Sequence, residues 1–290
     1  MRADVFPPPP PRYRDPDPAP AGTRLPGGNV GGAVRVGDTV RRPAGPWTPA
    51  VHALLRHVRA RGLDGVPEPL GVDDGGREVL TYLPGVPVDL AEVTDQRLAS
   101  AAAWLARYHA AVADFRPGRV RWRFEEGDLR PGEIVCHHDA TLYNMLVAAP
   151  GGDDVVGVVD WDVAGPGVPL DELAMLAWSG VPFYTDAGAP EGARRLRLLV
   201  DAYGEEASRR HLPRHDAAVV ARHVVVRMTG ASDAIAAGQE AGDPGMLNLA
   251  RSGEPARTRA ALAAYVARLP ELLAALADAA AVDAAASSSS

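Results

Sequence analysis

The pattern of apolar and polar residues changes character near Pro84-Gly85. Before this break, short apolar or alternating runs are separated by turn residues, which is typical of β-hairpins. Between the two hairpins, Val51, Leu54, Leu55 and Val58 recur at the spacing of one helix face. The predicted strands are 33–36, 39–42, 66–72 and 78–83, and the predicted helix is 48–61.

After the break, the spacing of the apolar residues becomes mostly helical. One short apolar run, Val155 to Val159, is instead predicted to be a buried strand. A strand-rich part followed by a larger helical part predicts an α+β architecture with two lobes. The predicted helices of the second part are 98–112, 170–180, 191–207, 216–238 and 255–279.

Composition marks the two ends of the chain. Residues 1–22 are rich in proline and are predicted to remain extended or disordered, because such a segment cannot form a packed core. Residues 284–290 are of low complexity and are predicted to be a tail. Between these ends, we predict a small lobe at 23–83 and a mainly helical lobe at 84–283.

Composition and charge exclude several classes of protein. Of the 290 residues, 47% are hydrophobic and 23% are charged, as in soluble globular proteins. No uninterrupted apolar run reaches the roughly 18 residues of a membrane span, and the N-terminus lacks the layout of a signal peptide. The single cysteine excludes an internal disulfide framework. The net charge of −7 gives no electrostatic basis for binding nucleic acid or anionic membranes. We therefore expect a cytoplasmic protein, and nothing implies a protein partner.

The most informative segment is 136–144, Cys-His-His-Asp-Ala-Thr-Leu-Tyr-Asn, which is followed by an apolar strand and Asp160. Asp139 completes a His-x-Asp sequence that begins at His137, and Asn144 lies five residues further on. Phosphoryl transfer needs a carboxylate that accepts a proton from an attacking hydroxyl. It also needs an amide oxygen and a second carboxylate that hold magnesium against phosphates. Each of these elements occurs by chance, but their ordered combination is much more specific.

With these motifs the chain resembles the aminoglycoside phosphotransferase-like enzymes, relatives of the protein kinases, over about residues 23–280. The resemblance implies a bilobal protein-kinase-like fold, with a small strand-rich N-lobe and a larger helical C-lobe. It also implies that Asp139 orients and deprotonates the acceptor hydroxyl, that Asn144 and Asp160 hold Mg²⁺, and that His137 holds the loop. The implied cofactors are Mg²⁺ and ATP, with GTP as the alternative nucleotide.

Two further acids accompany this set. Asp162 lies two residues beyond Asp160, so both side chains point the same way in an extended segment. It is interpreted either as a metal or substrate ligand or as a surface acid. Asp171 resembles the family's Asp-x-Ala element, in which the Asp supports the catalytic loop. The structural alternatives for Asp139 and Asn144 are hydrogen bonds within the loop and an Asx-turn.

Two segments are candidates for nucleotide binding. The glycine-rich stretch 27–32 lies directly before the first hairpin, where Gly28 and Gly31 would let backbone amides approach phosphate. A glycine-rich turn without a ligand is the alternative. The residues that the resemblance assigns to the adenine-binding hinge are Thr81, Tyr82 and Leu83.

The chain also departs from the family. All 30 basic residues are arginine, so the family's phosphate-binding lysine is absent, and Arg42 is its predicted substitute. The helix predicted at 48–61 contains no glutamate to pair with it, and His52, Arg56 and His57 are predicted to occupy its surface. The lysine–glutamate clamp is therefore predicted to be absent. This motivates an alternative function, a catalytically degenerate kinase-like protein that binds or regulates.

The acidic middle of the chain suggests an acceptor. No arginine occurs between Arg130 and Arg194, and this span carries ten acidic residues. Such a segment favours metal ions or a cationic substrate, although a solvated acidic surface is the alternative for several of its members. The leading hypothesis is an Mg-ATP-dependent phosphotransferase acting on a small-molecule hydroxyl, such as that of an aminosugar or amino alcohol. A third interpretation, a metal-dependent hydrolase, finds a cluster of suitable residues only at 137–139.

Overall fold

The computed structural model describes residue 12 and residues 22–25, 32–184 and 188–287, with side chains to residue 282. The first part of the chain forms a five-stranded antiparallel sheet with one helix. Its elements are β1 Gly22–Arg24, β2 Val34–Val36, β3 Thr39–Pro43, α1 Thr48–Ala60, β4 Pro69–Val72 and β5 Arg77–Thr81. The order of the strands in the sheet is β1-β2-β3-β5-β4. Both predicted hairpins are confirmed, and the second is shorter than predicted.

The pairing of β3 with β5 joins the two hairpins across helix α1. In this antiparallel register, Arg42 lies opposite Glu78 and Val40 lies opposite Leu80. The turn between β2 and β3 places Gly37 at φ 59°, a conformation that favours glycine. The sheet thus brings side chains from two distant hairpins onto one face.

Three smaller sheets follow the break. Their strands are β6 Val86–Pro87, β7 Val120–Arg121, β8 Glu126–Gly127, β9 Ile134–Cys136, β10 Met145–Val147, β11 Val155–Val158 and β12 Gly165–Gly167. The sheets have the orders β11-β10-β6, β12-β9 and β7-β8. Short 3₁₀ turns lie at Leu142–Asn144 and Trp161–Val163, immediately before β10 and after β11. The first turn contains Asn144, the second contains Asp162, and Asp160 directly precedes the second.

The rest of the described chain is helical. Its helices are α2 Asp95–Val112, α3 Pro169–Gly180, α4 Gly188–Arg209, α5 Ala217–Glu240, α6 Pro244–Ala250 and α7 Ala256–Ser287. All five predicted helices are confirmed, whereas the seven-residue α6 was not predicted. Helix α7 runs into the segment 284–290 that was predicted to be a tail. The predicted α+β architecture, with a strand-rich part before a larger helical part, is confirmed.

Helix α2 lies at the centre of the core. Its Trp104 and Tyr108 are buried, and the Tyr108 ring meets the Trp161 ring at 5.2 Å between centroids. The Tyr108 hydroxyl donates to the Val135 carbonyl on β9 at 2.6 Å. The same buried cluster includes Leu55 from α1. Strand β9, which precedes Asp139, and Trp161, which follows Asp160, therefore both pack against helix α2.

Helix α7 is the one described helix that is long and apolar enough to cross a membrane, over Ala256–Val282. Its most apolar window of 18 residues has a mean hydropathy of 1.5, and 17% of that window is buried. No membrane span was predicted from the sequence, because no uninterrupted apolar run reaches roughly 18 residues. Arg268 and Glu271 lie in the interior of α7, and Arg268 donates to the Phe183 carbonyl at 2.9 Å. Both charges would be costly in the centre of a bilayer.

Candidate active site

The loop between β9 and β10 holds Asp139 through contacts of its own. The Asn144 side-chain amide donates to Asp139 Oδ2 at 2.8 Å and to the Asp139 carbonyl at 2.9 Å. The Tyr143 hydroxyl donates to Asp139 Oδ1 at 2.7 Å. Both bonds from Asn144 use its amide nitrogen, so neither uses the oxygen that would bind a metal ion. The two predicted residues are thus directly bonded.

The environment of Asp139 sets its proton affinity near neutrality. The pKa of this carboxyl is raised to about 7, chiefly by burial. The nearby Asp160 carboxylate also raises the pKa, whereas the hydrogen bonds from Tyr143 and Asn144 lower it. A carboxyl with a pKa near the working pH is suited to accept a proton from a substrate. The position and the proton affinity of Asp139 both fit a general base.

Asp160 follows β11 in a strained conformation. Its φ of 66° lies in the left-handed region, which residues other than glycine rarely adopt. The preceding Val159 N–H donates to the Asn144 carbonyl at 2.9 Å, which fixes this segment beside the loop. The Asp160 side chain is 41% exposed and accepts a hydrogen bond from Arg42 Nη1 at 2.7 Å. Asn144 and Asp160, the two predicted metal ligands, are therefore brought together.

Arg42 has a glutamate partner, which lies on a strand and not on a helix. From β3, its Nε donates to Oε1 of Glu78, the buried residue opposite it on β5. His52 of α1 lies 3.1 Å from the other carboxylate oxygen of Glu78. Burial acts to raise the pKa of Glu78, but Arg42 and His52 outweigh it and hold the pKa below the usual value.

This arrangement extends one prediction and corrects another. The lysine–glutamate clamp is absent, as predicted, but Arg42 is not left without an acid, because Glu78 of β5 pairs with it. The predicted surface position of His52 is wrong, since its side chain is fully buried. His57, by contrast, is only partly buried and lies 3.1 Å from Asp114. An arginine–glutamate pair thus occupies the place of the lysine–glutamate clamp.

Asp162 lies in the same charge network and is not a surface acid. Its carboxylate is 12% exposed and contacts Arg42 Nη2 and, at 3.5 Å, Arg123 Nη1. Burial raises the pKa of Asp162 to about 6, and Arg42 opposes this effect. Arg123 also binds Asp243, the N-cap of α6, at 2.9 Å, and lies over the Trp47 ring at 4.9 Å. Neither Arg123 nor Asp243 was predicted to belong to the site.

His137 holds the Asp139 loop through hydrogen bonds, as predicted. Its Nδ1 accepts a hydrogen bond from the Asp139 N–H at 3.2 Å, and its Nε2 lies 3.0 Å from the Val159 carbonyl. Burial lowers the pKa of His137, which favours the neutral ring that these two bonds require. Because both ring nitrogens are engaged, His137 is not placed to ligate a metal ion. The 137–139 cluster that motivated the hydrolase interpretation is therefore not assembled.

The buried acid beneath the loop is Glu172, one residue beyond the predicted Asp171. Glu172 Oε1 accepts the backbone N–H groups of His137 at 2.9 Å and His138 at 3.2 Å. Its other oxygen lies 3.2 Å from His109, which contacts the Tyr203 hydroxyl at 2.9 Å. Loop support, predicted for Asp171, thus comes directly from Glu172.

Asp171 acts at the start of helix α3. Its Oδ2 accepts the Val168 N–H at 3.0 Å, and its Oδ1 lies 2.7 Å from His223 of α5. Asp171 therefore ties α3 to α5.

Truncation of Glu172 is expected to destabilise the fold more than truncation of its neighbour. Glu172→Ala leaves two buried N–H groups and His109 without an acceptor, which should lower the free energy of unfolding by about 3 kcal/mol. Asp171→Ala removes a cap and one partly buried contact with His223, and about 1 kcal/mol is expected. Urea denaturation of both variants measures the difference. Equal effects would contradict the assignment of loop support to Glu172.

The predicted nucleotide segments are only partly described. Gly28 and Gly31 lie outside the described residues. In the predicted hinge, the Thr81 N–H donates to the Glu68 carbonyl at 3.0 Å and the Tyr82 N–H donates to the Asp38 carbonyl at 2.8 Å. Two donors of the hinge are therefore already used within the sheet. The Leu83 side chain packs toward Gly157 of β11.

In the folded protein, arginines from other segments offset part of the negative charge between Arg130 and Arg194. Arg42 from β3 and Arg123 from the β7–β8 turn contact Asp160 and Asp162 as described above. Arg227 of α5 donates to the His138 carbonyl and lies close enough to Asp139 to lower its pKa, an effect smaller than that of burial. The charge of the segment alone is therefore a weaker argument for a cationic acceptor than the sequence suggested.

The donor set fits a magnesium ion that takes its remaining ligands from elsewhere. Asn144 and Asp160 offer hard oxygen donors, which Mg²⁺ prefers, and this ion usually takes few protein ligands together with phosphate oxygens and water. Within residues 32–184 and 188–282, no group of three or more His, Cys, Asp or Glu side chains is placed to hold a metal ion. A metal held jointly with a nucleotide suits this geometry.

Comparison with known proteins agrees with this geometry. The model of the phosphotransferase enzyme family matches residues 121–217, which include the Asp139 loop and Asp160. The trifolitoxin immunity protein of Rhizobium leguminosarum bv. trifolii is 34% identical over 192 residues, or 62% of this chain and 73% of that protein. The chain belongs to the phosphotransferase enzyme family.

Solved structures show the same fold. An amicoumacin kinase in complex with AMP-PNP, Ca²⁺ and Ami has a TM-score of 0.59 at 14% identity, with 86% of this chain and 88% of that chain covered. A choline/ethanolamine kinase family protein from Mesorhizobium loti has a TM-score of 0.53 at 19% identity, with 86% and 92% covered. The predicted bilobal kinase-like fold is therefore confirmed.

Proposed function

We propose that this protein is an Mg-ATP-dependent phosphotransferase that acts on a hydroxyl group of a small molecule. The observation that carries the proposal is the Asp139–Asn144 pair, held beside Asp160 by the bond between Val159 and Asn144. In this proposal, Asp139 is a base that lies next to two oxygen ligands, Asn144 and Asp160. A phosphotransferase needs this combination, whereas a binding module does not.

Each residue has a defined part in this proposal. Asp139 orients the acceptor hydroxyl and takes its proton as the oxygen attacks the terminal phosphate. Asn144 and Asp160 would hold Mg²⁺, which neutralises charge on the phosphates when bound. Arg42 faces the same side and would add a second cation, with Glu78 fixing its guanidinium. His137 and Glu172 position the loop beneath Asp139.

The two lobes divide the work in this proposal. Residues 23–83, with Gly28, Gly31 and the hinge from Thr81 to Leu83, would cover an adenine nucleotide, and GTP is the alternative. Residues 84–283 would carry the catalytic loop and the acceptor-binding helices. The acceptor would be a small molecule with a hydroxyl, for example an aminosugar or amino alcohol. The reaction would take place in the cytoplasm.

A non-catalytic protective protein is the second candidate. The immunity protein that is 34% identical over 192 residues favours a role in self-protection, which binding alone or phosphorylation of a toxic compound would achieve. The absence of lysine also favours binding alone. Phosphorylation and sequestration differ in whether ATP is consumed, so the two candidates are separable.

Calorimetric titration of ATP, with and without magnesium, tests the proposal. Magnesium-dependent binding is expected, followed by phosphoryl transfer in a screen of hydroxyl compounds. Titration of GTP under the same conditions decides between the two nucleotides. An absence of binding at millimolar nucleotide would contradict the proposal and favour the non-catalytic protein.

The pH dependence of phosphoryl transfer should follow Asp139. Because burial raises its pKa to about 7, the base is largely protonated, and therefore inactive, below this pH. The rate constant is expected to rise with pH up to about 7 and then to level off. A pH profile at saturating substrate measures this. A rate that stays constant down to pH 5 would contradict the assignment of Asp139 as the base.

A further inference from the structure

The hydroxyl of Tyr143 lies where an acceptor hydroxyl must lie. It donates to Asp139 Oδ1 at 2.7 Å, while Asn144 holds Oδ2 at 2.8 Å. The Asn144 bond belongs to the loop, so Oδ1 is the oxygen left for a substrate. The contact that this oxygen makes with the phenol is the contact that a general base makes with an alcohol substrate.

The local structure makes the phenol easy to displace. In the 3₁₀ turn Leu142–Asn144, Leu142 and Asn144 point into the protein and are buried. Tyr143 between them is 47% exposed, so its ring is not part of the core. Its hydroxyl can leave Asp139 without opening a cavity. The cost of displacement is therefore the hydrogen bond to Asp139 together with a hydrogen bond between the Tyr143 and Thr141 hydroxyls.

We propose that the Tyr143 phenol holds the place of the acceptor hydroxyl in the resting enzyme, and that a bound acceptor displaces it. This inference rests on the proposed function and names a residue that selects among acceptors. Water and small alcohols offer too few contacts to compensate for the lost hydrogen bonds. Only a larger acceptor, bound also by the helical lobe, gains access to Asp139.

One consequence is protection against wasteful hydrolysis of ATP. In hydrolysis, a water oxygen attacks the terminal phosphorus, the bond from this phosphorus to ADP breaks, and the water proton passes to Asp139. The phenol denies water the position that this proton transfer requires. Tyr143 thus acts through Asp139 as a positioning residue, and it is not consumed.

Hydrolysis of Mg-ATP without an acceptor tests the inference, since water serves as the probe. Tyr143→Phe keeps the ring and removes the hydroxyl, and hydrolysis is expected to rise by about tenfold or more. Adding Asp139→Asn to this variant should abolish the rise. Tyr265→Phe is the matched control, because it loses a phenol bond of 2.8 Å to the Ala221 carbonyl, away from Asp139. No change is expected there.

The outcomes separate this inference from the proposed function. If wild type and Tyr143→Phe both bind Mg-ATP but hydrolyse it equally slowly, the inference is wrong and the proposed function stands. Phosphate found on Tyr143 by mass spectrometry would make the phenol a substrate and would also overturn it. If neither protein binds Mg-ATP in calorimetry, the proposed function fails and the inference fails with it.

Discussion

Replacement of Asp139 by asparagine is expected to slow phosphoryl transfer by about 10²–10⁴-fold, the usual contribution of a general base. The amide is close in shape to the carboxylate, so the loop should keep its conformation. It has no tendency to take a proton from the acceptor. The affinity for Mg-ATP should change little, because Asn144 and Asp160 remain. The measurements are transfer to an acceptor identified by screening and calorimetry of nucleotide binding.

A matched control for this substitution lies in the same segment of the chain. Asp154→Asn makes the same chemical change at an exposed position of the loop between β10 and β11. Its rate of transfer should equal that of the wild type. If Asp139→Asn were as active as Asp154→Asn, Asp139 would not be the base, and the function proposed for this loop would have to be abandoned.

The second large effect is expected at Arg42. Arg42→Met leaves the buried Glu78 carboxylate with only His52 as a close partner, beside two further acids. Removal of one member of a buried ion pair typically costs about 3–5 kcal/mol of stability. The affinity for Mg-ATP should also fall, by roughly 10–100-fold, because a cation facing the phosphates is lost.

A double variant separates these two effects. Arg42→Met combined with Glu78→Met replaces the ion pair by apolar side chains and should recover part of the stability lost in Arg42→Met. The recovery is incomplete because buried His52 loses its Glu78 partner and Asp162 still lacks Arg42. It should not recover the affinity for nucleotide. Arg59→Met is the control, since it removes an exposed ion pair with Glu68, which contributes at most about 1 kcal/mol, and one hydrogen bond to the Val66 carbonyl. If the double variant bound Mg-ATP as the wild type does, Arg42 would have no part in nucleotide binding.

The sequence predicted those parts of the site that lie close together in the chain. Asp139 and Asn144 are five residues apart, and the hairpin of β10 and β11 separates Asn144 from Asp160. Spacing of this kind can be recognised in a sequence because one loop and one hairpin bring the groups together. The same reasoning predicted the hairpins and the five long helices from the period of their apolar residues.

Contacts between side chains from distant segments of the chain were not predicted. Arg42 and Glu78 are 36 residues apart and meet only because β3 pairs with β5. This pairing joins two separate hairpins, so the turn within either hairpin does not predict it. Arg123 and Asp243 are 120 residues apart. No local pattern marks such pairs in one sequence.

One missed feature did leave a signal in the sequence. His52 lies three residues before Leu55, so helical spacing places it beside the apolar face of α1. It was assigned to the surface because histidine is polar. A polar residue on a buried face requires a polar partner, and that requirement pointed to an acid such as Glu78.

The cross-strand pair Arg42–Glu78 also bears on how the sheet folds. Side chains in a strand alternate between its faces, so a shift of β5 by one residue would turn Glu78 to the opposite face and bring Val79 to the site. Arg42 and His52 would then lose their shared partner. The correct strand register is therefore the register in which Glu78 meets these two residues. Selection that preserves the Arg42–Glu78 pair for its role in the site therefore also disfavours sheets in which β5 is shifted against β3.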